Sequence, residues 1–195
     1  MEQIISKEEL NELMKLEGKV RGMAIRSIIN FILKERGEEG LKKFKDAIIN
    51  LGFSIKHEEI KLMEFYPINL WVVFLLTTKR LFGLGDKEVE EIGKFESKTS
   101  LVLRLSMRYF FSADRVVKEA PNMWRKAITA GDIKITEYDE DKKYAILKLK
   151  NLRTHPIQCQ FFKGYFSSVV QMIIKNPTTC EETKCPHKDD EYHEF

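Results

Sequence analysis

Three cysteines are too few, and odd in number, for a disulfide framework in this 195-residue chain. Metal ligation or simple burial is the better use for them. Long apolar runs are also missing. The longest, Leu70 to Leu76, falls far short of the roughly 20 residues a membrane-spanning helix needs. Met1 to Leu10 carries no apolar signal core, so a cytoplasmic location is expected and export is not. No block of Lys or Arg stands out, and 33 basic against 30 acidic side chains leave a net charge of only +3. A dedicated phosphate-backbone binder needs a clustered basic face, so nucleic acid is not an expected partner. The most one-sided stretch is acidic: Glu181, Glu182, Asp189, Asp190, Glu191 and Glu194 against Lys184 and Lys188.

Signatures of common chemistry are absent as well. Gly83-x-Gly85 stands alone without the rest of a dinucleotide fingerprint, and there is no P-loop, HExxH or GxSxG. No Ser/His/Asp grouping presents itself. Asp139, Glu140 and Asp141 cluster, but in a polar turn where solvation accounts for them. The chain is therefore not expected to be an enzyme.

What is present is an ordinary globular balance, 43% hydrophobic and 32% charged. With no internal repeat or linker, the expectation is one domain over residues 1–195, residues 1–17 being an N-terminal helical extension. Ser6-Lys7-Glu8-Glu9 has the form of a capping box. Val20, Met23, Ala24, Ile28, Phe31 and Ile32 recur at helical spacing up to a stop at Gly37. Leu41, Phe44, Ile48 and Leu51 continue as another amphipathic helix. Residues 53–65 look irregular. Pro67 fits the first turn of a helix running to Phe82 that is apolar nearly all round. Two more helical stretches follow, over about 87–111 and 113–130, the second interrupted by Pro121. From Gly131 the period becomes two: Ile133 and Ile135, then Ala145, Leu147 and Leu149, predict a hairpin about Asp139–Lys143. Pro156 opens a helix carrying Cys159, Phe162, Phe166, Val169 and Ile173. A second hairpin is expected from strands at 178–184 and 191–195. The fold class is α+β, a helical layer packed on a small antiparallel sheet.

Cys159, Cys185 and His193 offer metal ligands, with Glu182 three residues before Cys185 and His187 two after it. Cys159 falls in a first helical turn, where the dipole favours a thiolate. One objection is geometric: residues three apart on a regular strand face opposite ways, so Glu182 and Cys185 converge only if the strand bends. Simple burial of Cys159 is the alternative. Tyr66, Trp71, Tyr109, Trp124 and Phe162 are aromatic residues from several elements. They can line a pocket or pack a core, and sequence leaves both open. His57 reads as solvated and His155 as a helix cap.

The order and spacing of several short motifs resemble a known family. They are Val20-Arg21-Gly22, Phe65-Tyr66-Pro67, Gly83-Leu84-Gly85-Asp86, Trp124-Arg125 leading to Gly131-Asp132-Ile133, His155-Pro156-x-x-Cys159, and Glu182-Thr183-Lys184-Cys185 running on to Asp189-Asp190, His193 and Phe195. From about Gly18 onward the chain resembles the 4-vinyl-reductase-type small-molecule-binding domains. Their superfamily includes haem-nitric-oxide-binding domains and a Golgi vesicle-tethering subunit. The resemblance implies the ligand-binding-domain fold of the NO-signalling/Golgi-transport type, with a cavity for a small apolar or aromatic molecule. It also implies Zn²⁺ held by Cys159, Glu182, Cys185 and His193, with His193 where relatives carry a second hairpin Cys and Asp189 where they carry Gly. Tyr-x-Ser-x-Arg, the haem-propionate signature of the nitric-oxide sensors, is absent, so haem is not expected. A stand-alone sensor domain is the leading reading. A homodimeric interaction protein akin to the tethering subunits, using the 6–16 helix, is the alternative.

Overall fold

Ser6 caps the first helix as its spacing predicts, its Oγ accepting from Glu9 N at 3.1 Å. The computed structural model describes residues 4–54, 57–100, 103, 113–139, 141–174 and 176–195. Helix α1 spans Lys7–Met14. It is clamped to its own chain. Ile5 and Leu13 are buried, and both oxygens of Glu9 take the Arg80 guanidinium at 2.6 and 2.7 Å.

A short strand, β1 (Lys19–Arg21), leads into α2 (Gly22–Asn50). The stop expected at Gly37 is there: at φ 65° and ψ −169° Gly37 is non-helical and divides α2 into two helical stretches, a conformation open to a residue without a Cβ. The stretch that reads as irregular ends in β2 (Phe65–Pro67), antiparallel to β1 with Val20 opposite Tyr66. Three-residue strands carry no readable alternation, and Pro67 at a strand end forfeits no ladder bond. Helix α3 (Ile68–Leu81) is buried at every residue from Ile68 to Thr78. Helix α4 (Asp86–Thr99) is shorter than the 87–111 expected, and most of the remainder lies outside the described residues. Helix α5 (Ala113–Ala127) keeps Pro121 inside it.

Strands β3 (Asp132–Asp139) and β4 (Tyr144–Lys150) form the expected hairpin, with a register irregularity between Ile135 and Glu137. Helix α6 (Ile157–Ile174) follows, then β5 (His193–Glu194) on the far side of β4, giving the antiparallel order β3-β4-β5. The strand expected over 178–184 does not form. Only an isolated bridge, Lys184 to Glu194, remains of it. The result is α+β: helices with small antiparallel sheets, as the sequence predicts.

Helices α4 and α6 make the most extensive interface, and two glycines set its depth. A Cβ on Gly93 would stand 2.8 Å from Tyr165 N, and one on Gly164 would stand 2.6 Å from the carbonyl carbon of Glu90. The helices therefore meet backbone to backbone. This brings Trp71, Phe161 and Phe162 into one packed group, ring centroids 5.1 and 6.0 Å from Trp71.

Candidate functional site

The start of α6 and the 182–195 segment meet at one buried point. His155 Nδ1 accepts from Ile157 N at 3.2 Å, the capping role read from its place before Pro156, and fixes where Cys159 emerges one turn later. Opposite, Asp190 Oδ2 accepts from Cys185 N at 2.8 Å. The turn closes through Asp189 at φ 69°, a left-handed conformation that Asp tolerates better than most residues. β5 then sets His193 opposite Leu149 of β4.

Four groups converge there. One ligand atom from each of Cys159, Glu182, Cys185 and His193 lies within 4.8 Å of all the others. Cys159 Sγ is 3.7 Å from Cys185 Sγ and 3.9 Å from His193 Nδ1. His193 Nδ1 is 2.8 Å from Glu182 Oε1. Ligands about 2.0–2.3 Å from a tetrahedral ion stand about 3.3–3.8 Å apart, which the two sulfur spacings approximate. The objection about opposite strand faces dissolves because residues 178–183 are irregular. Without alternation, both Glu182 and Cys185 turn inward. His187 stays outside the group, its ring 5.8 Å from that of His193.

The electrostatics are those of a site short of positive charge. Burial pushes the Cys159 thiol well up, and the charges of Glu182 and Cys185 add to it. The thiolate-favouring helix start is outweighed. Cys185 is raised mainly by burial. Burial works against the charge on Glu182 too, but hydrogen bonds from His193, Cys159 and Cys185 hold its carboxyl below the usual range. His193 Nε2 is buried and makes no hydrogen bond among the described residues.

The aromatic residues singled out from sequence lie, among the described residues, on several elements. Trp71 and Phe162 pack in the group described above. Tyr66 lies at β2, its hydroxyl accepting from Lys61 N at 2.9 Å. Tyr109 lies outside the described residues. Trp124 packs on Phe162 at 5.6 Å and donates its indole N–H to Ala130 O at 2.9 Å. Its other side borders a half-open groove of about 480 Å³ between α5 and β3. Of the groove's cations, Arg125 stands in the Trp124-Arg125 motif, whereas Lys118 and Lys134 were not singled out from sequence. The spacing of Val117, Pro121 and Trp124 on one helical face was the available signal. Within the described residues, no helix is long and apolar enough to cross a membrane.

No family model and no curated protein matches the sequence. Solved structures do match in fold. An H-NOX protein from S. oneidensis in the Fe(II)NO ligation state superposes with TM-score 0.60 at 9% identity, covering 89% of this chain and 96% of that one. A Tt H-NOX variant gives 0.59 at 11%, covering 89% and 90%. A Cs H-NOX carrying 4-cyano-L-phenylalanine gives 0.55 at 12%, covering 89% and 92%. These neighbours correct one expectation. The missing Tyr-x-Ser-x-Arg signature set haem aside, yet the chain shares its fold with H-NOX proteins. A signature records one way of holding a propionate, and its absence does not exclude the cofactor from the fold.

Proposed function

We propose that residues 1–195 form one small-molecule-binding domain of the sensor type, with Zn²⁺ held by Cys159, Glu182, Cys185 and His193. The observation that carries the metal is the convergence of those groups within 4.8 Å. Two thiols, an imidazole and a carboxylate suit zinc, and four protein ligands close its sphere. Such an ion is structural: it fastens the start of α6 to the 182–195 segment and neutralises the charge that burial penalises in the thiols. Because the unfolded chain has no preformed site, the binding free energy contributes to folding. The same closed sphere leaves no position for a substrate, in keeping with a binding domain rather than an enzyme.

The small-molecule reading is supported by the H-NOX fold and by the groove beside Trp124. Fold alone is an analogy, but two features favour the same class: a cavity within the size range of ligand sites and an apolar floor that includes Val117, Pro121 and Trp124 beneath charged residues. Haem is the first ligand to test, since one fold neighbour is described in an Fe(II)NO ligation state. Kinship to the 4-vinyl-reductase type rests on the sequence motifs. Output through a homodimer is the simplest arrangement for such a domain, and light scattering reports it.

Native mass spectrometry of freshly purified protein tests the whole reading. One zinc per chain is expected, lost in Cys185→Ser. Stoichiometric zinc retained by that variant would remove Cys185 from the site. An absorption spectrum on the same sample shows a Soret band if the ligand is haem.

A further inference from the structure

The groove between α5 and β3 carries more information than its volume. Its lining includes Asp132, Ile133, Lys134 and Ile135 in succession. Successive strand residues point to opposite faces, so a groove that touches all four runs along the strand's edge. β3 is the outer strand of the β3-β4-β5 sheet among the described residues, which leaves that edge open. The opposite wall is one face of α5.

The floor is apolar. Val117 and Pro121 are half-buried and Trp124 is buried. Trp124 has spent its indole N–H on Ala130 and Gly131, so it offers the groove a ring and no donor. The rim is cationic. Lys118, Arg125 and Lys134 are all exposed, and none forms an ion pair with a carboxylate among the described residues. Arg125 donates only to the neutral Asn122 Oδ1, at 2.6 Å. Lys134 is also placed at a cost: its cross-strand partner is Lys148, and like charges directly opposite destabilise a sheet. Lys148 has Glu194 at 3.5 Å; Lys134 has no such relief. The single acid of the lining, Asp132, is already engaged by Asn151 Nδ2 at 2.9 Å and stands opposite Lys150.

An apolar floor under a rim of three cations against one acid selects a molecule with an apolar body and an anionic head. We infer that this groove binds a free carboxylate-bearing amphiphile, its body on Val117, Pro121 and Trp124 and its head among Lys118, Arg125 and Lys134. The inference rests on the small-molecule reading above and names the ligand class.

Isothermal titration of the full chain with decanoate and with decanol, both below micelle formation, tests it. A charge-assisted hydrogen bond contributes enough to separate the two probes by about 10- to 100-fold in favour of decanoate. Added NaCl should weaken decanoate and leave decanol unmoved. Lys134→Glu and Arg125→Glu, both exposed and outside the core, should each cost decanoate about tenfold or more without changing decanol. Val117→Trp, which fills the groove, should abolish decanoate binding while zinc content stays constant. Equal affinity for the two probes, or decanoate binding indifferent to both charge reversals, overturns the anionic class but leaves the small-molecule reading standing. Failure of decanoate, decanol and phenol alike, with haem also absent, removes that reading as well. Binding to phosphatidylglycerol vesicles but not to free decanoate overturns the proposal in favour of a membrane surface.

Discussion

Replacing Gly164 with alanine should destabilise the fold through the α4–α6 contact alone. The new Cβ would lie 2.6 Å from the carbonyl carbon of Glu90 and 2.8 Å from its Cα. Carbon atoms prefer about 3.5–4.0 Å, so the helices must separate by about 1 Å. The obstructing atoms are backbone, and no side-chain rotation relieves them. Overpacking of this kind costs about 1–3 kcal/mol, and the upper end applies because a whole helix has to move. Against this, alanine in a helix interior returns about 1 kcal/mol relative to glycine. The net loss is about 2 kcal/mol. For a chain of this size that lowers the melting temperature by about 4–8 °C. Thermal unfolding by circular dichroism, on zinc-replete protein at fixed concentration, measures it. Gly93→Ala should behave alike, since its Cβ meets Tyr165 N and the Phe161 backbone from the other side. One separation relieves both, so the double variant should lose clearly less than the sum of the two. An unchanged or raised melting temperature in Gly164→Ala would refute the backbone-to-backbone contact, because the propensity gain alone would then be showing.

Three further outcomes follow from other parts of the molecule. Burial pushes the Glu96 carboxyl up to about 7, with only the Ser27 hydroxyl at 3.0 Å opposing; its charge in turn helps burial to raise the Tyr165 phenol. The folded state therefore holds the Glu96 proton more tightly than the unfolded chain. The associated stability, about 3 kcal/mol, is present below pH 4.5 and lost as pH rises through 7. Glu96→Gln should flatten that part of the stability–pH profile, and an identical slope in both proteins would count against it. Removing zinc with a chelator should lower the melting temperature by about 5–10 °C, equivalent to about 2.7 kcal/mol at a hundredfold excess over Kd, and a chelator-insensitive transition in zinc-bearing protein would show that the ion does not fasten the fold. Asp189 has φ 69°, so Asp189→Gly should hold stability within about 0.5 kcal/mol while Asp189→Val costs about 1–2 kcal/mol. Equal melting temperatures for the two variants would remove the left-handed turn.

Much of the molecule is written in local pattern. The cap at Ser6, the apolar run of α3, the change of period at Gly131 and the helix opened by Pro156 each depend on neighbours a few residues away. Spacing alone reveals them. The four candidate ligands were legible as residue types for the same reason: few side chains hold metals, and they stand close in sequence apart from Cys159. Tertiary structure decided what local pattern cannot carry. Strands β1 and β2 are three residues each and exist because of one another. Residues 178–183 do not form the strand their composition suggests, with only Thr183 and Lys184 bonded to the Glu194 backbone, and that irregularity is what lets Glu182 and Cys185 face one centre. Gly93 and Gly164 lie mid-helix, where propensity argues against them; only the approach of a second helix explains them. Lys118, Arg125 and Lys134 look like ordinary solvated charges in the sequence. They become a rim only once α5 lies along the edge of β3, since a groove belongs to two elements and neither one encodes it alone.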